Sequence, residues 1–312
     1  MAVYTSINST DLSNWIKEFD LEEPSDFKGI SSGVTNTNYL ITLPDTNYIL
    51  TIFEHNYIDE LPFYVNLMSY LAKNNFSCPM PVENKKGQAL ALLKEKPALM
   101  VSFLDGKEKA IVDADSCYLV GKNLAKFHST ATDFTELNKN TRGLLWMSDI
   151  YTSLKKHLSF EDQKIIELEI NFQMLLDNTD LPEGIIHGDL FRDNVLFLNN
   201  NVSGFIDLYY ACNERLVYDI AITMNDWCIN EDGKINKLMY TEFIKGYESE
   251  RKLTENEQDR LNKDLRLAAL RFWLSRLEDS YNVKEGEITS IKDPNHFKAI
   301  LLNRQAMENY VN

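Results

Sequence analysis

The chain has 312 residues, of which 44% are hydrophobic and 25% are charged, so its composition is that of a globular protein and not of a disordered one. Its 47 acidic and 32 basic residues give a net charge of −15, which argues against a basic face for nucleic acid and against docking on an anionic membrane. We therefore expect neither nucleic acid nor membrane as a partner. The length allows one large domain or two unequal lobes, and the sequence does not determine the oligomeric state.

Cysteine spacing and the N-terminal residues indicate the cellular compartment. The four cysteines are far apart, without a C-x-x-C pair, so we expect free buried thiols in a reducing compartment. Residues 1–15 lack the apolar segment of a signal peptide, and no apolar stretch is long enough to span a bilayer. These features predict a cytoplasmic protein.

The first hundred residues have the alternating and β-branched patterns of strands. One helix is predicted over 60–74, where apolar residues fall on one face. The predicted strands are 26–30, 38–43, 47–54, 88–94 and 97–104.

After Gly106 the pattern is helical, apart from a group of short strands over 184–207. The predicted helices are 115–130, 149–177, 217–228, 236–250, 256–282 and 294–310. The sequence thus predicts an α+β fold with two lobes: a small antiparallel β-sheet lobe with one main helix over 1–101, a hinge over 102–106, and a larger, mostly α-helical lobe over 107–312.

The strongest chemical signal is the segment 185–197, IIHGDLFRDNVLF, in which an apolar strand leads into His-Gly-Asp and a second strand follows Asn194. The catalytic loop of protein kinases reads His-Arg-Asp-Leu-x-x-x-Asn, where the Asp accepts the proton of the substrate hydroxyl and the Asn binds magnesium. His187, Asp189 and Asn194 have the same spacing, with Gly188 in place of the Arg. We predict Asp189 as the catalytic base, with His187 orienting the loop rather than acting as a second base.

A second acidic residue, Asp207, ends the strand that follows the turn cluster Asn199-Asn200-Asn201. If the hairpin turns between Asn200 and Asn201, Asn194 lies directly opposite Asp207, and directly opposed residues have Cβ atoms roughly 4.5–5.5 Å apart. An amide oxygen and a carboxylate at that separation suit Mg²⁺, which prefers oxygen ligands. We therefore predict Asn194 and Asp207 as a metal-binding pair.

With these motifs in place, the sequence resembles the aminoglycoside phosphotransferase and choline kinase superfamily, whose fold is protein-kinase-like. More narrowly, it resembles the bacterial homoserine kinases of that superfamily, and the resemblance extends over nearly the whole chain. The superfamily-wide signal is HGDL with Asn194 and Asp207, and the narrower one comes from segments such as 206–212 (IDLYYAC), 218–228 (YDIAITMNDWC), 271–277 (RFWLSRL) and 142–147 (RGLLWM).

The resemblance implies ATP and Mg²⁺ as co-substrates and phosphorylation of the small molecule L-homoserine on the route to threonine. It implies that the backbone at Ser102, Phe103 and Leu104 holds adenine, and that Asp219 braces the catalytic loop, a position where a plain helix N-cap is an equal alternative. It also implies that a loop containing Ser31, Ser32 and Gly33 covers the phosphates, although an ordinary hairpin loop would have the same sequence character.

One position departs from the superfamily pattern. Thr51 stands where the phosphate-pairing lysine is expected, and a hydroxyl cannot neutralise phosphate charge. The narrower homoserine kinase group also lacks this lysine, and Lys28 or Arg192 are possible substitutes, each with the alternative of being a solvated surface cation.

For the acceptor, a zwitterion needs a cation for its carboxylate and an anion for its ammonium, and Arg offers a planar fork of donors to a carboxylate. We predict that Arg271 or Arg276 binds the carboxylate, with an internal salt bridge as the alternative for each. Asp193, beside the catalytic loop, and Asp226 are the candidates to bind the ammonium, and Trp227, next to Asp226, is also predicted to contact the acceptor.

Three functional classes remain open at this point: a homoserine kinase, a kinase of another small alcohol or amine of the aminoglycoside, choline or thioribose type, and an inactive nucleotide-binding member. The inactive class is considered because Thr51 replaces the expected lysine. The intact set of Asp189, Asn194 and Asp207 argues against it.

Overall fold

A computed structural model describes residues 4–30, 36–56, 58–177, 179–281 and 292–307 of the chain. The chain divides into two compact units, and the boundary lies between Asp105 and Gly106. That boundary falls inside the segment 102–106 for which the sequence predicts a hinge.

The first unit is built on a five-stranded sheet in the order β1-β2-β3-β5-β4, in which all neighbouring strands are antiparallel. The strands are β1 Asp26–Gly29, β2 Thr37–Thr42, β3 Asn47–Ile52, β4 Leu90–Leu93 and β5 Lys96–Ser102, and the helices are α1 Ser9–Ile16 and α2 Pro62–Lys73. All five strands and α2 were predicted from the sequence to within a few residues.

Helix α1 was not predicted, and it is the main correction to the first unit. It is only eight residues long, and it begins with a capping box in which Asn8 and Asp11 exchange hydrogen bonds between side chain and backbone. Leu12, Trp15 and Ile16 are buried from its inner face, in one apolar core with strand residues that alternate along β2, β3 and β5.

The second unit is mostly helical, and no helix among the described residues is long and apolar enough to cross a bilayer. Its helices are α3 Ala114–Thr130, α4 Leu144–Leu154, α5 Phe160–Met174, α6 Leu216–Trp227, α7 Lys237–Glu248, α8 Glu255–Tyr281 and α9 Pro294–Gln305. The prediction of one helix over 149–177 was wrong, because a short 3-10 turn at Lys155–His157 separates α4 from α5. Ser159 then caps α5 by accepting a hydrogen bond from the backbone N–H of Asp162 at 3.1 Å.

The kinase-like segment 185–197 connects two small antiparallel pairs of strands. One pair is β6 Glu183–Ile186 with β9 Cys212–Arg215, and the other is β7 Val195–Leu198 with β8 Asn201–Phe205. The predicted register of the second pair was wrong. Asn199 and Asn200 both have positive φ (50° and 62°), so they form the turn themselves, as is typical of a two-residue hairpin loop. An irregularity after Leu196 shifts the pairing again, and Asn194 consequently lies opposite Ile206, whose N–H donates to the Asn194 carbonyl at 3.0 Å.

Helices α3 and α7 approach each other so closely that their backbones touch. A Cβ atom on Gly246 of α7 would lie 2.0 Å from the carbonyl oxygen of Tyr118 on α3, and one on Gly121 would lie 2.2 Å from the carbonyl oxygen of Phe243. Only glycine fits at the two positions, so this glycine pair fixes the distance between the helices.

We expect Gly246→Ala to lower the free energy of unfolding by about 1–3 kcal/mol, the usual cost of an overpacked site. Alanine has the higher helix propensity, by ~1 kcal/mol, but the clash is with backbone atoms and outweighs that gain. Urea denaturation measures the change. Gly143→Ala is the control, because its methyl group would meet nothing closer than 3.6 Å, and it should cost less than ~1 kcal/mol. Equal stabilities of the two variants would contradict the backbone contact.

Candidate active site

The HGD segment leaves β6 in a sharp turn that only glycine allows. Gly188 has φ +75°, and a Cβ atom there would lie 2.6 Å from the carbonyl oxygen of Tyr210. The arginine that protein kinases carry at this position therefore does not fit in this chain. A different arginine, Arg271 of α8, donates from Nη1 to the carbonyl oxygen of Gly188.

Asp189 and Asn194 are held against each other by the next turn of the loop. The Nδ2 atom of Asn194 donates to the main-chain oxygen of Asp189 at 2.7 Å and lies 3.3 Å from its carboxylate Oδ2. The carbonyl oxygen of Asp189 also accepts from the N–H of Phe191 at 2.8 Å. These bonds position the carboxylate of Asp189, and they leave the amide oxygen of Asn194 as the end of its side chain that is not engaged with the loop.

His187 orients the loop and does not have a free nitrogen for proton transfer. The ring is fully buried, its Nε2 lies 3.0 Å from the carbonyl oxygen of Ile206, and its Nδ1 accepts from the N–H of Asp189 at 3.3 Å. A carbonyl only accepts, so Nε2 carries the proton. Burial lowers the pKa of His187, which keeps the ring neutral. These contacts agree with the predicted role of His187, which is to orient the loop rather than to act as a second base.

Three side chains of α6 hold the catalytic loop. Asp219 accepts the backbone N–H groups of residues 187 and 188, at 2.7 and 2.9 Å. Asp226 accepts the N–H of Arg192 at 2.8 Å, and the Arg192 guanidinium donates back to the carbonyl oxygen of Asp226. The indole N–H of Trp227 donates to the carbonyl oxygen of Leu190 at 3.2 Å. Trp227 is fully buried, so the expectation that its side chain touches the acceptor is corrected: it supports the loop from behind.

A histidine that sequence reasoning missed completes this support. His128 of α3 is buried, and its Nε2 donates to the carboxylate of Asp219 at 3.1 Å. Burial raises the pKa of Asp219, but the hydrogen bonds from His128 and from the N–H of Gly188 lower it, and the net result is a lowered pKa. Asp219 therefore stays ionised and acts as a brace rather than as a simple helix cap. Nothing in the sequence around His128 marks it, because its partner is 91 residues away.

Among the described cations, Arg271 lowers the pKa of Asp189 most strongly. Its side chain is only 5% exposed, and its guanidinium lies 5.6 Å from the ring centre of Tyr210 and 4.5 Å from that of Phe272. Among the described residues no carboxylate lies within salt-bridge distance of it. A buried guanidinium without an ion-pair partner is costly, and an anionic ligand would offset that cost.

The carboxylates around the loop repel one another. Desolvation raises the pKa of Asp189 to about 8; Arg271 opposes this shift, while the charges of Asp207 and Asp193 add to it. Desolvation by the surrounding protein atoms raises the pKa of Asp207 as well, and the charge of Asp193 adds to the shift, although Asp207 is exposed to solvent. Asp207 has φ 61° and ψ 54°, so the chain turns sharply at this carboxylate. This excess of negative charge is what a bound cation would neutralise.

The remaining acceptor candidates occupy different surroundings. Asp193 is exposed and forms an ion pair with Lys292 at 3.3 Å. Arg276 is half-buried, with its guanidinium 4.5 Å from the ring centre of Phe297 and its Nη1 donating to the carbonyl oxygen of Asp293 at 2.9 Å. Burial lowers the pKa of Arg276, and nearby carboxylates oppose that shift. The internal salt bridge considered for each arginine is absent among the described residues for both.

The predicted adenine segment, Ser102 to Leu104, has one backbone N–H without an acceptor among the described residues. The N–H of Ser102 donates to Met80 at 2.8 Å, and that of Phe103 to Asn47 at 3.3 Å. The N–H of Leu104 has no hydrogen-bond acceptor in the part of the chain that the structure describes, so it is the donor available to a ligand. The loop residues Ser31, Ser32 and Gly33 lie outside the described residues.

Thr51 is committed to the sheet. It is 4% exposed, and its hydroxyl donates to the side-chain oxygen of Asn38 on the neighbouring strand at 2.7 Å. Of the two substitutes for the missing lysine, Arg192 is bound to Asp226, whereas Lys28 lies opposite Leu40 and thus on the same face of the sheet as Thr51. The strand pairing therefore favours Lys28 over Arg192 as the substitute for the missing lysine.

We expect Thr51→Ala to lower kcat/KM by less than ~10-fold, because a neutral hydroxyl that is already bonded to Asn38 supplies little stabilisation to developing phosphate charge. Steady-state kinetics with varied ATP tests this. A collapse of activity in a variant that is still folded would instead make Thr51 a specific phosphate contact.

The donor types of Asn194 and Asp207, which do not lie directly opposite each other on the hairpin, suit a magnesium ion with few protein ligands. No group of three or more His, Cys, Asp or Glu in the described part of the chain is arranged to hold a metal. Asp207 and Asn194 offer one carboxylate and one amide oxygen, and Mg²⁺ characteristically takes one or two protein oxygens and completes its shell with water and substrate phosphates.

Comparison with known proteins assigns the class. The model of the phosphotransferase enzyme family matches residues 26–261, and the chain belongs to that family. Among its relatives, the homoserine kinase of Methylobacillus flagellatus is 40% identical over 301 residues, which are 96% of this chain and 94% of that protein. The homoserine kinase of Neisseria meningitidis serogroup B is 39% identical and covers 97% of this chain and 99% of its own length.

Solved structures with the same fold are more distant in sequence. A spectinomycin phosphotransferase, in complex with ADP and spectinomycin, has a TM-score of 0.73 at 14% identity, over 97% of this chain and 99% of that chain. A choline kinase from Cryptosporidium parvum has a TM-score of 0.65 at 17% identity, over 96% of each chain. The kinase-like α+β fold that the sequence predicts is thereby confirmed.

Proposed function

We propose that this chain is a homoserine kinase, which transfers the γ-phosphate of ATP to the hydroxyl of L-homoserine and gives O-phospho-L-homoserine and ADP. The relatives that are 39–40% identical over nearly the whole chain carry that name. The observation within this chain that supports it best is a buried cation next to the base: Arg271 contacts Gly188, the residue before Asp189, and has no carboxylate partner among the described residues.

That arrangement suits an acceptor whose hydroxyl and carboxylate are a few bonds apart. The hydroxyl would lie at Asp189, and the carboxylate would accept hydrogen bonds from the guanidinium of Arg271. An acceptor that carries only positive charge, such as choline or an aminoglycoside, would instead place a cation beside an unpaired buried guanidinium, which is unfavourable.

The chemistry is an in-line displacement. The acceptor oxygen forms a bond to the γ-phosphorus, the bond between that phosphorus and the bridging oxygen breaks, and ADP leaves with the bond electrons. Asp189 accepts the proton of the attacking hydroxyl, while Asn194 and Asp219 keep its carboxylate and backbone in place. When bound, Mg²⁺ supplies charge neutralisation to the phosphates, and we assign its protein oxygens to Asn194 and Asp207.

One assay separates the functional classes. ADP release, coupled to an indicator reaction, is measured with homoserine, choline, a thioribose and an aminoglycoside as acceptors. We expect homoserine to have the highest kcat/KM by at least ~10²-fold, since the site that binds its carboxylate would leave buried donors unpaired with the others. A higher value for another acceptor would move the chain to the broader small-alcohol class, and no release with any would support an inactive member.

We expect Asp207→Ala to raise the magnesium concentration needed for half-maximal activity, because it removes the only carboxylate of the proposed pair. A magnesium titration at saturating ATP measures the shift. Asp232→Ala, which removes an exposed carboxylate paired with Lys234, is the matched control and should leave the titration unchanged. The same magnesium curve in both variants would exclude Asp207 as a ligand.

A further inference from the structure

The brace under the catalytic loop continues outward beyond Asp219. His128 is fully buried between two partners: its Nε2 lies 3.1 Å from the carboxylate of Asp219, and its Nδ1 lies 2.8 Å from the hydroxyl of Tyr247 on α7. Tyr247 is itself fully buried, and its hydroxyl also contacts Arg251 Nη1 at 3.1 Å. Arg251 forms an ion pair with the fully buried Glu257 at 2.9 Å.

The hydrogen bonds of this chain of side chains point in one direction. A guanidinium only donates, so Tyr247 accepts from Arg251 and has its own proton free to donate. A carboxylate only accepts, so the Nε2 of His128 carries the proton that reaches Asp219. In the neutral ring, the Nδ1 of His128 is then the acceptor for the Tyr247 hydroxyl. Burial raises the pKa of Tyr247, which keeps that proton in place.

The two helices that carry these side chains are closely packed. His128 lies on α3 and Tyr247 lies on α7, the two helices whose backbones touch at Gly121 and Gly246. Gly246 immediately precedes Tyr247, so the closest backbone contact between the helices also sets the position of the hydroxyl. Because the two glycines leave no room for the backbones to move closer, we expect a change in the position of the hydroxyl to be passed on to His128 and Asp219.

We propose that Tyr247 is a positioning residue for phosphoryl transfer: its hydroxyl holds His128 in one tautomer and orientation, and His128 in turn holds Asp219, which grips the backbone N–H groups of the loop that presents Asp189. The hydrogen bonds run from Arg251 to Tyr247 and from Tyr247 to His128. Because each bond polarises the next donor, the bonds strengthen one another. The inference rests on the proposed kinase activity, and it adds a residue that lies on a helix outside the catalytic loop and its α6 support.

Kinetics of Tyr247→Phe test the role, since the change removes only the hydroxyl and keeps the ring. A loop that presents Asp189 less accurately loses turnover more than binding, so we expect kcat to fall roughly tenfold, with the KM values for ATP and homoserine within about twofold of those of the unmodified protein. Tyr240→Phe is the control: it makes the same chemical change on α7 and should leave kcat unchanged. Equal kcat values for the two variants would overturn the proposal.

A measurement that needs no activity separates this inference from the proposed function. The chain has five histidines, so ¹⁵N NMR of histidine-labelled protein resolves each ring. We expect two buried rings, His128 and His187, with a protonated Nε2 and a hydrogen-bonded Nδ1, and the spectrum of His128→Gln assigns the signals of His128. In Tyr247→Phe we expect the Nδ1 resonance of His128 to move to the value of a free lone pair and that of His187 to stay unchanged. An unchanged His128 resonance would refute the hydrogen bond whether or not the protein phosphorylates homoserine.

A double variant tests whether Tyr247 acts through His128. If it does, adding Tyr247→Phe to His128→Gln lowers kcat no further than His128→Gln alone, because the hydroxyl has lost the group that it holds. Thermal denaturation of all variants shows that each is folded at the assay temperature. An additional, independent loss of kcat in the double variant would mean that Tyr247 affects turnover by another route, and the proposal would fail.

Discussion

Asp189→Ala is expected to lower kcat by at least ~10²-fold, the lower range for the loss of a general base. In the structure the Asp189 carboxylate is the acidic side chain that follows the HG turn directly, and its position is set by Asn194 Nδ2 on one side and by the loop backbone on the other. Rapid-quench measurement of phosphoryl transfer reports the chemical step without the contribution of product release.

The same variant is expected to bind ATP almost as well as the unmodified protein. Removing Asp189 takes away a carboxyl group whose ionised form is repelled by Asp207 and Asp193, so repulsion around the loop does not rise and the binding of an anionic nucleotide does not weaken for electrostatic reasons. Isothermal titration with ATP and magnesium measures this. A near-normal kcat would remove Asp189 from its role, and a large loss of ATP affinity would show that it mainly holds the metal-nucleotide.

Asp189→Asn is the matched variant, because it keeps the shape of the side chain and removes its ability to accept a proton. We expect it to be as inactive as Asp189→Ala. If instead the amide restored most of the turnover, the side chain would be contributing position and hydrogen bonding rather than basicity.

The catalytic loop could be predicted from the sequence because its chemistry is local. His187, Asp189 and Asn194 lie within eight residues, and their spacing alone indicates a kinase-type loop. The residues that hold this loop could not be predicted in the same way. His128 is 91 residues from Asp219, and Arg271 is 83 residues from the Gly188 carbonyl that it contacts, so only the folded chain brings them together.

A shift of one residue in the predicted hairpin turn changes the predicted cross-strand partner of Asn194. Three consecutive asparagines allow the two-residue turn at Asn199-Asn200 or one residue later, and both choices satisfy the preference of asparagine for positive φ. The structure takes the first and adds an irregularity after Leu196, so Asn194 faces Ile206. The sequence pattern constrains the strands but not the single residue by which they are offset.

Short helices and strands are also hard to predict from the sequence. Helix α1 has eight residues and β9 has four, lengths at which the periodic pattern of apolar residues contains too few repeats to be recognised. The break between α4 and α5 has a signal in the sequence, since Ser159 followed by Asp162 is typical of a helix start, but the apolar pattern continues on both sides of it and favours one long helix.

Arg271→Met is expected to raise the KM for homoserine by roughly 10–100-fold, the size that corresponds to losing charge-assisted hydrogen bonds to a carboxylate. Methionine approximates the length of the aliphatic stem and packs well beside Phe272, so the change removes the charge more than the volume. The KM for ATP should stay within about twofold. Steady-state kinetics with each substrate varied at saturating levels of the other measure both constants.

Arg276→Met is the matched control, because it makes the same substitution five residues further along α8. The Arg276 guanidinium is half-buried and donates to the Asp293 carbonyl, whereas that of Arg271 is buried beside the loop of Asp189. We therefore expect the KM for homoserine to change much less in Arg276→Met. The opposite order would assign the carboxylate to Arg276, and equal, small effects would mean that neither arginine binds it.

The contact between Arg271 and the Gly188 carbonyl complicates a simple loss of affinity, because its removal also loosens the loop and lowers kcat. Homoserine amide resolves the two roles, since it keeps the hydroxyl and the ammonium but lacks the carboxylate charge. If Arg271 binds the carboxylate, the unmodified protein discriminates strongly against the amide and Arg271→Met does not. If the unmodified protein phosphorylated the amide as well as homoserine, there would be no carboxylate clamp, and the role of Arg271 would be confined to holding the catalytic loop.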